Sequence, residues 1–266
     1  MIKRDKEKLI RYLLPVVTAI IFLILWQLTA VYIVGDSHRL PSVVEVFDSF
    51  LYSIFGEKGS LLLDLEISLY HFIIGMSAAI IVGIPVGIAM GWFKRIDQAI
   101  NPIVEILRPI PPLAWIPFAI IWFGLTHLSA GFIIFVGALF PVLVNTYSGF
   151  KNVPKVFVEA GKVLGCSSSL SQIRYIAFPS AIPSITTGIR ISMGVGWMCL
   201  VGAEIFGAGT GRNGLGKNLW TYYNLYNIPM VVVYMLVLGL IGLAIDMAFR
   251  YYVDRLTLKW QEEEVR

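Results

Sequence analysis

The chain of 266 residues is 57% apolar and only 14% charged, and it carries a formal net charge of +4. A soluble domain is closer to roughly 50% apolar and 25% charged. The apolar residues also occur in blocks of about 20 or more, which is the length that a helix needs to cross a bilayer. This composition excludes an ordinary soluble domain and predicts an all-α integral membrane protein.

The first apolar segment, residues 13–34, follows a basic tail at 1–12. It is longer than the roughly 7–15 apolar residues of a signal peptide and has no small-residue cleavage site, so we interpret it as a retained span. Helices are expected because an open sheet would leave backbone groups unpaired in lipid. Five further apolar segments predict a total of about six spans: 67–92, 103–125, 130–150, 182–205 and 229–252.

The distribution of Lys and Arg predicts the orientation of these spans. If the N-terminus is cytoplasmic, 15 of the 21 basic residues fall in cytoplasmic segments and 4 in the opposite ones. The positive-inside rule therefore predicts that both termini are cytoplasmic. We expect a transmembrane domain at 13–255, with cytoplasmic tails at 1–12 and 256–266.

Two connecting segments carry helix signals. Ser42 and Glu45 form a capping-box pattern in the first outer loop, and the apolar residues that follow at helical spacing predict a short amphipathic helix. The longest inner segment, 151–181, is too polar to span a membrane. Gly165 divides it into a predicted helix–turn–helix, whose apolar side requires a partner surface or the membrane face.

The third span contains four prolines within nine positions, at 109, 111, 112 and 117. Each proline removes a backbone donor and disrupts the preceding turn. Such a helix is tolerated where protein or a water-filled cavity satisfies the backbone, and discontinuous helices often line substrate paths in transporters. We therefore predict that this span is broken and lies beside the pathway.

Polar groups inside predicted spans are costly and usually face the protein interior. With the prolines and tryptophans near them, they form the predicted pathway or gate residues. Glu105 and Arg108 could instead form a structural ion pair, and the tryptophans could be anchors at the membrane surface. The candidates are Glu105, Arg108, Pro111, Pro112, Trp115, Asn145, Trp197 and Glu204.

The segment 207–218 resembles two nucleotide-binding motifs. Its Gly211-x4-Gly216-Lys217 is close to a phosphate-binding loop, but Asn218 stands where a Mg²⁺-ligating Ser or Thr is required. Gly209-x-Gly211-x-x-Gly214 matches a dinucleotide pattern, yet a membrane helix precedes it instead of a strand. We interpret the segment as a glycine-rich turn with close backbone packing.

The remaining residues favour no metal or enzyme site. Cys166 and Cys199 have no accompanying CxxC or Cys/His cluster and are interpreted as free thiols. The three histidines share no metal-ligand spacing. No Gly-x-Ser-x-Gly, His-Glu-x-x-His or paired-carboxylate arrangement occurs, so the sequence predicts neither catalysis nor a bound cofactor.

The inner segment carries a family resemblance. Glu159-Ala160-Gly161-x3-Gly165, followed by Ile176-Ala-Phe-Pro179, resembles the signature of binding-protein-dependent ABC importer permeases. Gly161 stands where alanine is usual, and the gap to Ile176 is one residue longer than the common pattern. The segments 83–91, 105–117, 122–124 and 194–204 look like the nitrate, sulfonate, taurine and bicarbonate branch. Ser68-Leu-Tyr-His71 resembles the Ser-Leu-x-Arg of that branch, with His71 in place of Arg.

The resemblance implies a type I permease fold in the cytoplasmic membrane of a prokaryote. Two permease subunits, commonly identical, would form the pore for a small solute such as a small anion. Two cytoplasmic ATPase subunits would hold ATP and Mg²⁺, and an extracytoplasmic binding protein would deliver substrate. The residues implied in coupling to the ATPase are Glu159, Ala160, Gly161, Gly165 and Pro179.

Two other functions remain open from the residues alone. An intramembrane enzyme could use Glu204 or Glu105, and an ion-driven secondary carrier could use the same spans. Neither accounts as well for the long polar segment at 151–181. The favoured hypothesis is a transporter subunit that performs no bond chemistry.

Overall fold

The computed structural model describes residues 2–56, 61–206 and 213–251, and only the backbone of residues 2–12. These described residues form helices and short connections, without a strand. The sequence prediction of an all-α membrane protein is therefore confirmed. The helices are α1 (Ile2–Leu28), α2 (Val43–Phe55), α3 (Leu61–Trp92), α4 (Lys94–Leu107), α5 (Ile116–Phe123), α6 (His127–Lys151), α7 (Lys155–Val163), α8 (Ser169–Gln172), α9 (Phe178–Phe206), α10 (Leu215–Asn224) and α11 (Ile228–Phe249).

Five segments of the described chain are long and apolar enough to cross a membrane. A sixth arises if the bent pair Lys94–Leu107 and Pro112–Phe123 counts as one span, since the two parts meet at 91°. The break coincides with the prolines that predict it. The five continuous segments are Leu13–Val34, Leu61–Trp92, His127–Lys151, Ser169–Phe206 and Ile228–Phe249.

Three predicted span starts differ from the observed ones by six residues or more. The second span begins at Leu61 instead of residue 67, the bent third span at Lys94 instead of 103, and the fifth at Ser169 instead of 182. The fifth continues past Pro179 because a π-helical turn at Ile173–Ala177 precedes that proline. A wider turn accommodates a residue that cannot donate to the preceding turn. The predicted end of the last span at 252 and the tail at 256–266 lie outside the described residues.

The chain divides into two compact units, one comprising Met1–Leu62 and Asn218–Val237, the other Leu63–Lys217 and Leu238–Arg266. In the first unit, the predicted helix α2 is present with its capping box. The Ser42 hydroxyl accepts from the Glu45 N–H at 3.2 Å, and Glu45 Oε2 accepts from the Ser42 N–H at 2.7 Å. The Trp26 indole N–H donates to the Pro41 carbonyl at 3.0 Å, which joins α1 to the start of α2.

The second unit is organised by close packing between α3 and α6. Small residues occur at every fourth position along one face of α3. Each glycine among them faces a residue of α6, and the facing residues of α6 are likewise spaced by multiples of four. A Cβ atom added at Gly75, Gly87 or Gly91 would lie 2.5–2.7 Å from a Cβ atom of α6. Small residues of this kind let helix backbones approach closely in a membrane. The facing pairs are Gly75–Ile134, Gly83–Val142, Gly87–Thr146 and Gly91–Phe150.

Helix α9 is attached to both α6 and α11 within this unit. The Ser192 hydroxyl donates to the Ala138 carbonyl of α6 at 2.7 Å. On its other side, the Trp197 indole N–H donates to the Leu238 carbonyl of α11 at 3.0 Å. These polar contacts satisfy backbone and side-chain groups that lipid could not.

Candidate functional site

A cavity of about 270 Å³ lies at the break in the third span. Its walls come from the segment between α4 and α5, from α6 and from α9. The break is held against its neighbours because Gly202 of α9 leaves room for Leu113, and Gly137 of α6 faces Pro112. The polar members of the lining are few, and they include Arg108 and Asn145.

Arg108 is the only charged residue among those that line this cavity, all of which belong to the described chain. It follows Leu107, the last residue of α4, and precedes Pro109, so its position at the break is set by the end of the helix. Asn145 Nδ2 donates to the Pro141 carbonyl at 2.9 Å, one turn earlier on α6. Its Oδ1 atom is not used in that bond. The cavity thus presents one cation and one amide within an apolar wall, which suits a small anion.

The predicted alternative of a Glu105–Arg108 ion pair is wrong. No ion pair joins these residues in the described chain, and Glu105 Oε1 instead accepts from Asn101 Nδ2 at 2.8 Å. The Glu105 carboxylate is bonded by Asn101 on its own helix, and Arg108 is among the residues that line the cavity. A spacing of three residues permits an ion pair on a helix face but does not impose one.

The aromatic candidates differ in their surroundings. Trp197 packs edge-on against Phe72, with ring centroids 5.3 Å apart. Its indole N–H donates to the Leu238 carbonyl of α11. The buried indole N–H of Trp115 has no acceptor among the described residues. Trp115 precedes α5 directly, beside the cavity-lining segment, whereas Pro111 is exposed at the start of the same turn.

Glu204 is fully buried near the end of α9 and belongs to a hydrogen-bonded group. We define the histidine–glutamate cluster as Ser68 and His71 of α3, His127 of α6, and Glu204. His71 Nδ1 lies 2.9 Å from Glu204 Oε1, and His71 Nε2 lies 2.8 Å from His127 Nδ1. The Ser68 hydroxyl donates to Glu204 Oε2 at 3.0 Å. Glu204 is not among the residues that line the cavity at Arg108.

The described part of the glycine-rich segment, which begins at residue 213, donates a backbone hydrogen bond to the Glu204 carboxylate. The Gly216 N–H donates to Glu204 Oε2 at 2.7 Å, and the Leu215 N–H donates to the Ser68 hydroxyl at 2.8 Å. A Cβ atom at Gly214 would overlap the Glu204 carboxylate. Close backbone packing, as predicted, therefore explains Gly214 and Gly216. The start of α10 holds the protein's own anion where a phosphate would bind; the rest of the motif, 207–212, lies outside the described residues.

The predicted helix–turn–helix at 151–181 is present as α7, a turn and α8. Gly165 ends α7 with φ of +96°, a conformation that side chains other than glycine rarely adopt. Gly161 is buried, and a Cβ atom there would contact Ile176 of the following π-helical turn. The two glycines of the signature therefore shape the turn between the helices, whereas Glu159 and Ala160 are exposed on α7.

Several large apolar side chains of this segment are exposed to solvent in the described chain. Val163 and Leu164 are 88% and 85% exposed, and Val156 is 70% exposed. Apolar side chains at such exposure form a patch that usually marks an interaction surface.

Residues 70–258 match the family model described as "binding-protein-dependent transport system inner membrane component". The chain belongs to this family. This permease is 38% identical to a putative ABC transporter permease protein of Methanocaldococcus jannaschii, over 94% of its own length and 91% of that protein. It is 35% identical to a nitrate import permease of Synechocystis over 87% and 84%, and 32% identical to the taurine transport permease of Escherichia coli over 94% and 90%.

These findings confirm the resemblance to type I ABC importer permeases of this branch. They also identify the chain as a multi-pass membrane transporter subunit, which is not itself an enzyme. The permease contains two contacts that the sequence analysis did not predict, between His71 and Glu204 and between Arg190 and Asp246. Ser68 and His71 lie three apart on one face of α3, which is a detectable signal, but their partner Glu204 is 133 positions from His71. The Arg190–Asp246 pair likewise joins two spans 56 positions apart.

Proposed function

We propose that this permease imports a small oxyanion, such as nitrate, bicarbonate or the sulfonate taurine, through the cavity at Arg108. The single observation that carries this proposal is the position of Arg108, the one charged residue among those that line the cavity at the broken span. A guanidinium presents a planar set of donors that suits oxyanions. The nitrate and taurine permeases among the relatives support the same substrate class.

The test is uptake of labelled nitrate, bicarbonate and taurine into vesicles that contain the assembled transporter. Arg108→Gln should reduce uptake of the transported anion by at least about tenfold, because a charged hydrogen bond is commonly worth about 1.5–3 kcal/mol. Arg108→Lys should retain part of it. Arg39→Gln is the matched control, since it removes the same charge from a side chain that is 82% exposed. Wild-type uptake by Arg108→Gln would contradict the proposal.

We also propose that α7 and the turn at Gly165 bind a separate ATPase subunit, which would hold the ATP and Mg²⁺. The exposed apolar residues Val156, Val163 and Leu164 support a partner surface here, and the matched family supports the kind of partner. Glu159 and Ala160 lie on the same short helix, and Gly161 and Pro179 shape its support. ATP-driven closure of two such subunits would shift the pore between two states.

Glu159→Arg tests this second proposal. It should weaken co-purification of the ATPase subunit and uncouple ATP hydrolysis from uptake, while the thermal stability of the isolated permease stays unchanged because Glu159 is exposed. Lys94→Glu, an exposed charge reversal on α4 and outside the proposed binding surface, is the control and should leave ATPase binding unchanged. Normal ATPase binding and coupling in Glu159→Arg would contradict the assignment.

The remaining partners follow from the same proposal. A second copy of this permease would complete the pore, and an extracytoplasmic binding protein would supply the substrate. Cytoplasmic termini in a prokaryotic cytoplasmic membrane would place α7 on the ATPase side. Labelling of a single cysteine at Lys155 in inside-out but not right-side-out vesicles tests this orientation, and the opposite pattern would overturn it.

A further inference from the structure

We propose that Glu204, His71 and His127 form a proton-binding site that controls how tightly the start of α10 is attached to α3 and α9. The three side chains form a continuous hydrogen-bonded path, with contacts of 2.9 Å and 2.8 Å. Glu204 and His71 are 0% exposed, whereas His127 is exposed at the first residue of α6. A proton can therefore reach the buried carboxylate through two imidazole rings. The site would exist whatever solute the permease carries.

The number of protons in this path can change by one without breaking a hydrogen bond. The contact between His71 and His127 joins two ring nitrogens, so one nitrogen carries the shared proton and the other accepts it. In one state, neutral His71 donates from Nδ1 to Glu204 and accepts at Nε2 from His127. In the other, His71 carries both protons, pairs as a cation with the Glu204 carboxylate and donates to His127. Histidine is the side chain suited to this change near neutral pH.

The extra proton matters because Glu204 holds the first turn of α10. The N–H groups of Leu215 and Gly216 belong to the helix start, where backbone donors have no partner within the helix. Ser68 and Glu204 accept them at 2.8 Å and 2.7 Å. A carboxylate buried without a counter-charge is costly, and a cationic His71 at 2.9 Å removes much of that cost. Proton uptake by His71 thus tightens the attachment, and proton loss loosens it.

Other charged and titratable groups adjoin the cluster. Asp64 is buried on the same face of α3 as His71, two turns earlier. Lys217 of α10 donates to the Ile205 carbonyl at 3.2 Å, and the Tyr70 ring contacts both imidazoles. On α6, the next charged side chain after His127 is Lys151, at the other end of the helix.

Hydrogen exchange at the amides of Leu215 and Gly216 measures the attachment directly. In the assembled transporter, their protection is compared between about pH 5 and pH 9, across the range in which histidine titrates, after correction for intrinsic exchange. We expect protection to fall as pH rises, by up to about tenfold per pH unit for the loss of one proton. Amides of α6 around Ile134 serve as the internal control, because no titratable group of the cluster bonds to them.

Two substitutions separate this role from ordinary packing. His71→Arg keeps a cation at every accessible pH and should make the protection independent of pH. His127→Leu, at an exposed position, removes the acceptor for the second proton of His71 and should change the pH dependence of the protection. Protection in the wild type that does not change with pH, or a transition that is unmoved in His127→Leu, would overturn the proposal. Because His127→Leu alters an exposed residue, it remains informative if His71→Arg fails to fold.

Discussion

Arg190 of α9 and Asp246 of α11 form a two-point ion pair, with Nε 2.9 Å from Oδ1 and a terminal guanidinium nitrogen 3.2 Å from Oδ2. Both residues belong to segments that are long and apolar enough to span a membrane. Charged groups in such segments are retained where they pair. The pair therefore joins two spans by a contact whose geometry suits arginine better than lysine.

Arg190→Gln should lower the thermal stability of the permease, because Asp246 loses both hydrogen bonds from the guanidinium. Among the described residues, Arg250 also lies 3.8 Å from Asp246, and we expect it to compensate only in part. Thermal unfolding in detergent measures the loss. Exchange of the two residues, Arg190→Asp with Asp246→Arg, should recover part of the stability, and a double variant no more stable than Arg190→Gln would contradict a direct pairing.

Gly87→Ala should destabilise the contact between α3 and α6. The added Cβ atom would lie 2.7 Å from Thr146 Cβ and 2.8 Å from the Leu143 carbonyl oxygen, so the helices must separate. Overpacking of this kind costs about 1–3 kcal/mol. Gly239→Ala is the matched control, because nothing lies within 4 Å of its added Cβ atom. There, the higher helix propensity of alanine should leave stability equal or slightly raised. Equal melting temperatures for the two variants would contradict the close packing.

Gly165→Ala should impair coupling more than stability. Its φ of +96° strains any residue with a Cβ atom, although the space around the added atom is open. The strain would alter the turn between α7 and α8 and so displace the proposed ATPase-binding surface. ATP hydrolysis and uptake are measured together in the reconstituted transporter. Ser167→Ala, two residues later, is the control, and a Gly165→Ala variant with normal coupled uptake would contradict the prediction.

Removal of the Glu45 carboxylate should abolish an acid-dependent part of the stability of α2. The Ser37 hydroxyl bond, and then the Ser42 backbone N–H bond, lower the pKa of Glu45 from its ordinary value of 4.5. A lowered folded-state pKa means that this stability is fully present above about pH 4.5 and is lost as pH falls through the folded value. Hydrogen exchange of α2 amides between pH 6 and pH 3 should show the loss in the wild type, and a smaller one in Glu45→Gln. Equal pH dependence in the wild type and in Glu45→Gln would show that the Glu45 carboxylate is not the cause of the acid-dependent loss.

The features that the sequence predicts correctly are local. The capping box at Ser42 and Glu45 uses residues three apart, and the break in the third span follows from prolines within nine positions. Apolar length likewise predicts the spans, because a helix in lipid must satisfy its own backbone. In each case the physical cause lies within a few turns of chain.

The features that the sequence does not predict depend on distant partners. The position of Glu204 beside His71, and of Arg190 beside Asp246, requires the packing of different spans. The Glu105–Arg108 prediction failed for a related reason. Spacing alone shows which side chains can meet on a helix, but not that Glu105 pairs with Asn101 or that Arg108 lines a cavity formed with α6 and α9.

The glycine contacts along α3 restrict which parts of the permease can move. Because α3 and α6 meet nearly backbone to backbone at four successive glycines, sliding one past the other would drive side chains into the opposite helix. We therefore expect the two helices to move together. The break around Arg108 differs from them, because Pro109, Pro111 and Pro112 donate no backbone hydrogen bonds. We expect a change of access to the cavity to begin at this break.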